Sequence, residues 1–388
     1  MAATNPMETR AGMVIDADYL SNTLLRLLEI PSPTGMTDEI VGVVCKELEA
    51  LGIGYELTRR GAIRADLAGR RSSPDRAIVS HLDVLGAMVK SVKPNQRLAV
   101  VPIGTWSPRF AEGARVTVFT SSGLTARGTL LPLKASGHVF HHEIETQDVT
   151  WENLECRLDE ITLDNGGAAT LGIEVGDFIA VDSQPEMSAN GFVNARHLDD
   201  KAGVASVLAA AKALREQGGE LPVDCHLLFT ITEETGVGAS HVLHGDVAEM
   251  VSVDNGTLAP GQNTTEFGVT VGMMDSSGPF DFHLTRHLLR LCRDQEIAHA
   301  RDIFRYYRSD AAAAVEAGND IRTALVCFGL DASHGYERVH MSSLLALSHL
   351  LMAYMRSAPL FDRDTDAIGP RGDLPLDAVS AELRRFAD

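Results

Sequence analysis

Three apolar runs of this chain stop at a histidine or an acid, and that pattern narrows the folds open to it. AIVSHLD reaches His81, CHLLFTITEE ends on Glu233-Glu234, and EMVSVDN carries Asp254 near its end. Apolar runs of about four to eight residues bounded by polar or turn residues read as buried strands. In open α/β sheets, ligands and chemistry collect at the carboxyl ends of the strands. Adding Asp199 and His334 gives a set of histidines and carboxylates at such places. Two adjacent divalent metals need such a set, and one carboxylate is left over as a base. The pattern points to metal-assisted hydrolysis.

At 388 residues the chain is too long for one ordinary compact core, so two domains are expected. The net charge is −19, from 34 basic and 53 acidic residues. That balance argues against nucleic acid or an anionic membrane as a partner. Apolar content of 45% is that of a folded globular chain. Cys45, Cys156, Cys225, Cys292 and Cys327 are dispersed and form no CxxC. Such usage suits a reducing compartment better than a disulfide framework. The opening MAATNPMETRAGMVIDADYL has no apolar signal region. No apolar stretch approaches the roughly 18 residues that span a bilayer. The expected location is the cytoplasm.

Leu20, Leu24, Leu25 and Leu28 recur at helical spacing, PSPTG breaks the chain, and MTDEIVGVVCKELEALG reads as a second helix. AIRADLAG and RAIVSHLD follow as strands. From residue 89 to 188 helical periodicity is lost, and short strands (ARVTVFT, ARGTLLPL, DFIAVD) alternate with turns. This texture suggests a small β-barrel or sandwich. LDDKAGVASVLAAAKALREQGG then reads as a long Ala-rich helix closing on Gly218-Gly219, with CHLLFTIT and TALVCFGL as later strands. The expected fold is α/β: a mixed sheet flanked by helices, formed by residues 1–88 and 189–388, with residues 89–188 inserted as a small β-barrel domain. His81 precedes the insertion and the other candidates follow it. If they form one site, the insertion emerges beside it as a lid or an assembly surface. The acidic tail is expected to be partly loose.

Each candidate has a plainer reading. His81-Leu82-Asp83 could be a surface HxD at a strand end; the functional reading has the Asp83 carboxylate accept the second ring N–H of a metal-bound His81. Asp199-Asp200 could cap the Ala-rich helix, or a carboxylate there could bridge two metals. Glu233-Glu234 could open a helix, or split into a base and a metal ligand. Asp254 and His334 are, taken singly, ordinary structural residues. His197 and His340 are rival histidines. His138, His141 and His142 cluster in the inserted region, where a solvated or interface role is expected. DNGG and GVG lack a phosphate-loop pattern.

With these residues in hand, nearly the whole chain from LLEIPSPTG onward resembles family 42 of the metallopeptidases, the glutamyl and tetrahedral aminopeptidases. His81-Leu82-Asp83 with Gly86 matches an HxDxxG segment, HLDDKAG the aspartate pair, and Glu233-Glu234 with GVGAS the glutamate signature. SVDNG, RSDAAA and SHGYER occupy the later motif positions in order. The resemblance implies a zinc-peptidase-like fold with two divalent metal ions, zinc or cobalt, or else manganese. His81 and Asp254 would each hold one metal from the two sides, Asp199 would bridge both, and Glu234 and His334 would complete the ligands of the second metal. Glu233 would be the general base and Asp83 would act behind His81. Asp200, following a cis peptide, would orient the site, and Asp310 would support its substrate end. It also implies short peptide substrates and self-association as a homododecamer. The family carries Glu at the position of Val84, Arg at Lys201, and Ser-Pro at Gly335-Tyr336. These departures resemble a bacterial subgroup linked to the osmoprotectant N-acetylglutaminylglutamine amide. Two rival functions follow: an amide hydrolase or dipeptidase acting on that acetylated, amidated dipeptide, and a non-catalytic scaffold.

Overall fold

A computed structural model of the chain describes residues 14–161, 167–218 and 220–360. The acidic tail, Gly219 and most of DNGG lie outside them. Helices α1 (Ala17–Leu28) and α2 (Asp38–Ala50) open the chain. Asp16 caps α1 by accepting a hydrogen bond from the Tyr19 N–H at 2.9 Å. The buried face of α1 runs through Leu20, Leu24, Leu27 and Leu28, so Leu27 takes the place expected of Leu25.

Strands β1 (Gly54–Leu57), β2 (Ile63–Leu67) and β3 (Asp75–His81) come next. Then β4 (Gly86–Val92), β5 (Leu98–Ile103), β6 (Arg115–Phe119), β7 (Thr125–Pro132), β8 (Leu154–Leu158) and β9 (Phe178–Val181) close a barrel in the order β4-β5-β8-β7-β6-β9. Strands β10 (Glu186–Met187) and β11 (Phe192–Ala195) lead into helix α3 (Leu198–Gln217). The remainder is β12 (Cys225–Thr230), β13 (Val247–Thr257), β14 (Val269–Asp275), β15 (Gly278–Pro279), α4 (Phe282–Asp294), β16 (His299–Ile303), α5 (Asp310–Glu316), β17 (Arg322–Asp331), β18 (Glu337–His340) and α6 (Met341–Arg356).

The large sheet is mixed. At its centre β12, β3, β13 and β17 lie side by side and parallel. Outside β12, strands β2 and β1 run antiparallel; outside β17, β18, β11 and β10 do so. Strand β14 also pairs antiparallel with β17 and carries β15 and β16. Every residue of β3 and β12 is buried, as a parallel sheet covered on both faces requires. Helix α3 is buried without a break from Leu198 to Ala211. Past the polar first turn, Ala202–Ala211 is apolar on every side but for Ser206, as an enclosed helix requires, and its alanines let α1, α6 and the sheet approach it closely. The α/β part and the barrel have separate apolar cores, the second built on Val89, Leu98, Val116, Leu130 and Ile179.

The expected fold class is what the chain forms: a mixed sheet flanked by helices, with a closed barrel between β3 and β10. All five cysteines are buried and free. Among the described residues, no helix is long and apolar enough to cross a membrane.

Candidate metal centre

Because the four central strands are parallel, their carboxyl ends open on one edge. His81 is the last residue of β3, and the single turn Glu233–Thr235 follows β12. Asp254 lies in the second half of β13, His334 follows β17, and Asp199 enters from the first turn of α3. His81 Nε2 lies 3.2 Å from Asp199 Oδ1 and 3.8 Å from Glu233 Oε2. His334 Nε2 lies 3.4 Å from Asp199 Oδ2 and 3.7 Å from Glu234 Oε2. Two donor triads result, His81/Asp199/Asp254 and Asp199/Glu234/His334, each with its donor atoms within 4.8 Å of one another. Asp199 is common to both and offers one oxygen to each side.

Both histidines are aimed by main-chain carbonyls. Nδ1 of His81 is 2.8 Å from the Asp83 carbonyl oxygen, and Nδ1 of His334 is 2.8 Å from that of Thr105. A ring whose Nδ1–H donates to a carbonyl presents the lone pair of Nε2 to the centre. The Asp83 carboxylate is thus not the group that orients His81; the nearer oxygen lies 3.8 Å away. That carboxylate instead accepts from the backbone N–H groups of Glu233 (3.1 Å) and Glu234 (3.3 Å) and from the Thr34 hydroxyl (2.6 Å). It fixes the turn that carries both glutamates.

Asp200 points away from the cavity, accepting from the Ser80 hydroxyl and from the His81 N–H. The Asp199–Asp200 peptide is cis. A Cβ added at Gly203 would lie 2.1 Å from Asp200 Oδ1. Gly203→Ala is expected to push Asp200 off His81 and to cost about 1–3 kcal/mol of stability, as overpacking does. Thermal unfolding checks this, and an unchanged midpoint would show that the contact has slack. Asp310 is buried below the site. It accepts from the Thr230 hydroxyl at 2.7 Å and the Ala239 N–H at 2.6 Å, pinning the turn after the glutamates to β12. Burial raises its pKa to about 6.

Several residues of the site carried no signal in the sequence. The Asn255 amide donates to Asp199 at 2.7 Å and to Asp254 at 3.1 Å. Glu337 accepts from the N–H groups of Asp199 (3.2 Å) and His334 (2.8 Å). The rival histidines are engaged elsewhere: His197 with the Val181 carbonyl, and His340 at the start of α6. His138, His141 and His142 are exposed on the barrel side.

The electrostatics call for a cation. Burial, then repulsion from Asp199, pushes Asp254 up to about 8. Burial also raises Glu234 to about 8 and Glu233 well above the usual carboxylate range. Asp199 is held down against its own burial by His334 and His81. Burial opposes charge on His334, yet Asp199 and Glu234 lift it to about 10. Asp199 Oδ1 is buried with no hydrogen-bond partner among the described residues. Carboxylates and imidazole lone pairs packed this densely, short of positive charge, fit divalent metal ions taking mixed N and O ligands.

Residues 61–350 match the family described as M42 glutamyl aminopeptidase. The chain belongs to that family. It is accordingly a peptide hydrolase. The chain is 38% identical over 331 residues to "Putative aminopeptidase YhfE" of Bacillus subtilis (strain 168), covering 85% of this chain and 95% of that one. It is 27% identical over 222 residues to the glutamyl aminopeptidase of Lactococcus lactis subsp. cremoris (strain MG1363), covering 56% of this chain and 60% of the relative. Among solved structures, the TET aminopeptidase of Thaumarchaeota archaeon SCGC AB-539-E09 superposes with a TM-score of 0.79 at 20% identity, over 89% of this chain and 98% of that one. The TET1 peptidase of Pyrococcus horikoshii superposes with a TM-score of 0.77 at 19% identity, over 87% of this chain and all (100%) of that one.

Two departures from the M42 pattern have visible settings. Val84 is buried and bridges to Pro33, beside the Thr34 hydroxyl that holds Asp83. Lys201 is fully enclosed, its ammonium donating to the Ile30 carbonyl at 2.6 Å, and burial lowers its pKa to about 7. Asp199, Glu233, Glu234, Asp254 and His334 line a cavity of about 970 Å³ whose walls include Gly104-Thr105 and the segment Phe304–Ser309.

Proposed function

We propose that this M42 peptidase is an aminopeptidase acting on short peptides with two divalent metal ions. The observation that carries the proposal is the pair of donor triads sharing Asp199, with the Glu233 carboxylate 3.8 Å from His81 and lining the same cavity. His81, Asp199 and Asp254 would hold one ion, and Asp199, Glu234 and His334 the other. Two such ions would supply Lewis-acid polarisation of the scissile carbonyl and would acidify the attacking water. Glu233 takes the proton from that water and returns it to the leaving amine. Positive charge nearby would favour its ionised form, which burial and the neighbouring carboxylates disfavour. Asp83 holds Glu233 in place through the backbone. A cavity of this size admits a short chain and excludes a folded protein.

The inserted barrel, taken as residues 89–188, would complete the cavity. Thr105 from the connection after β5 both lines the wall and orients His334. The barrel side also exposes Leu124, Val139 and Val175, at 59%, 74% and 74% of their surface. Self-association is inferred from likeness to the TET1 peptidase of P. horikoshii, which can assemble into a tetrahedron or an octahedral shell.

The test is a panel of short peptides with free and acetylated amino ends, given to chelated protein and to protein reloaded with zinc, cobalt or manganese. Metal-restored release of residues from free amino ends is expected. Cleavage of acetylated or amidated dipeptides alone would overturn the aminopeptidase reading and move the enzyme to amide substrates.

A further inference from the structure

A second group of metal-ligating side chains lies at the other end of β12. His226 precedes Glu233 by seven residues, roughly 20 Å along an extended chain. Asp66 on β2 faces His226 in register. His244 arrives from the connection into β13. Asp66 Oδ1 is 2.7 Å from His226 Nδ1 and 3.1 Å from His244 Nε2. The three donor atoms lie within 4.8 Å of one another, and the two rings are 4.2 Å apart between centroids.

The surroundings are arranged as they are around a metal-bound imidazole. The second nitrogen of His226, Nε2, faces Asp75 Oδ2 at 3.3 Å. Asp75 is only 4% exposed, and the same oxygen accepts the Asp246 N–H at 3.0 Å. A fixed carboxylate that takes one ring N–H turns the other nitrogen's lone pair outward. With Nε2–H given to Asp75, the Nδ1 lone pair meets Asp66 Oδ1 at 2.7 Å, acceptor against acceptor, and either a cation or a second ring proton must lie between them. Gly245 permits the approach. Its φ is +66°, and a Cβ there would lie 2.5 Å from Asp75 Oδ2 and 3.3 Å from His226 Nε2. The Asp66 side chain is 55% exposed, so solvent can complete a coordination shell.

We propose that Asp66, His226 and His244 form a separate site for one zinc-class divalent cation, which clamps β2 and β12 to the connection leading into β13. Two imidazoles and a carboxylate are a usual ligand set for such an ion, with water in the remaining position. The site shares no residue with the centre at the opposite strand ends and stands whether or not that centre works as proposed.

The competing occupant is a proton, which would make His226 an imidazolium between Asp66 and Asp75. Elemental analysis distinguishes the two. Wild-type protein, His244→Gln and Asp66→Asn are chelated, reloaded with zinc alone, desalted and assayed for zinc per chain. The wild type is expected to carry one zinc more than either variant, while all three keep peptidase activity, which also reports that the variants are folded. Equal zinc in all three proteins would overturn the proposal and leave the proton in place. The exposed histidines of the barrel side are common to all three and cancel in the difference.

Discussion

Glu233→Gln is expected to keep its full metal content and to lose about 10²–10⁴ in kcat, the range that a general base contributes. Glutamine has the shape of glutamate and keeps one acceptor oxygen, but it cannot take a proton from water. Neither donor triad includes Glu233, so the ions should stay. The Asp83 contact also survives, because it is made to the Glu233 backbone N–H and not to its side chain. The substitution therefore isolates proton transfer. It should lower kcat with little change in KM, since no group that binds substrate is removed. Steady-state kinetics on a free-amino-end peptide, with metal analysis of the same sample, decides it. Retained turnover with metal bound would remove Glu233 from the role of base.

The fold was legible from local pattern, as was the gathering of the candidate residues at one sheet edge; their separate roles came only from the family resemblance. An apolar run that stops at a charged residue is visible in a single sequence, and parallel strands bring such stops together at one edge. What lay beyond reach was the support. Asn255 is one residue past Asp254, yet its amide matters only because α3 brings Asp199 within 2.7 Å of it. Glu337 and Thr105 act across long sequence separations, and nothing in their neighbourhood marks them. The HxD spacing misled for a physical reason. Side chains two apart share a face only while a strand continues, and β3 ends at His81. The chain turns there, so the Asp83 carbonyl faces the ring while its carboxylate swings to the glutamate turn. The Asp66–His226–His244 group was equally hidden, since its members come from β2, β12 and a later connection and meet only when the sheet is assembled.

Asp199→Asn should empty the centre, not half of it. Asp199 is the one residue common to both triads, and its two oxygens face opposite histidines, at 3.2 and 3.4 Å. The amide keeps one oxygen as a weak neutral ligand and turns an NH₂ toward the other imidazole. One exchange thus removes the bridging charge and places a donor where a cation would sit. Zinc at this centre is expected to fall by two per chain relative to wild type, with activity below detection. The metal-free fold should survive, because losing the Asp199 pairings with His81 and His334 is offset by taking a negative charge out of a cluster in which Asp254 and Glu234 are already pushed up to about 8 by burial and crowding. Two melting experiments separate this from simple damage. Without metal, variant and wild type should unfold at similar temperatures. With free zinc at about 1,000 times the dissociation constant, wild type should gain about 4 kcal/mol per occupied site, and the variant should lack that gain from this centre. A variant that melts early without metal would show that Asp199 holds the fold; one that still binds both ions would show that the triads do not share it as a ligand.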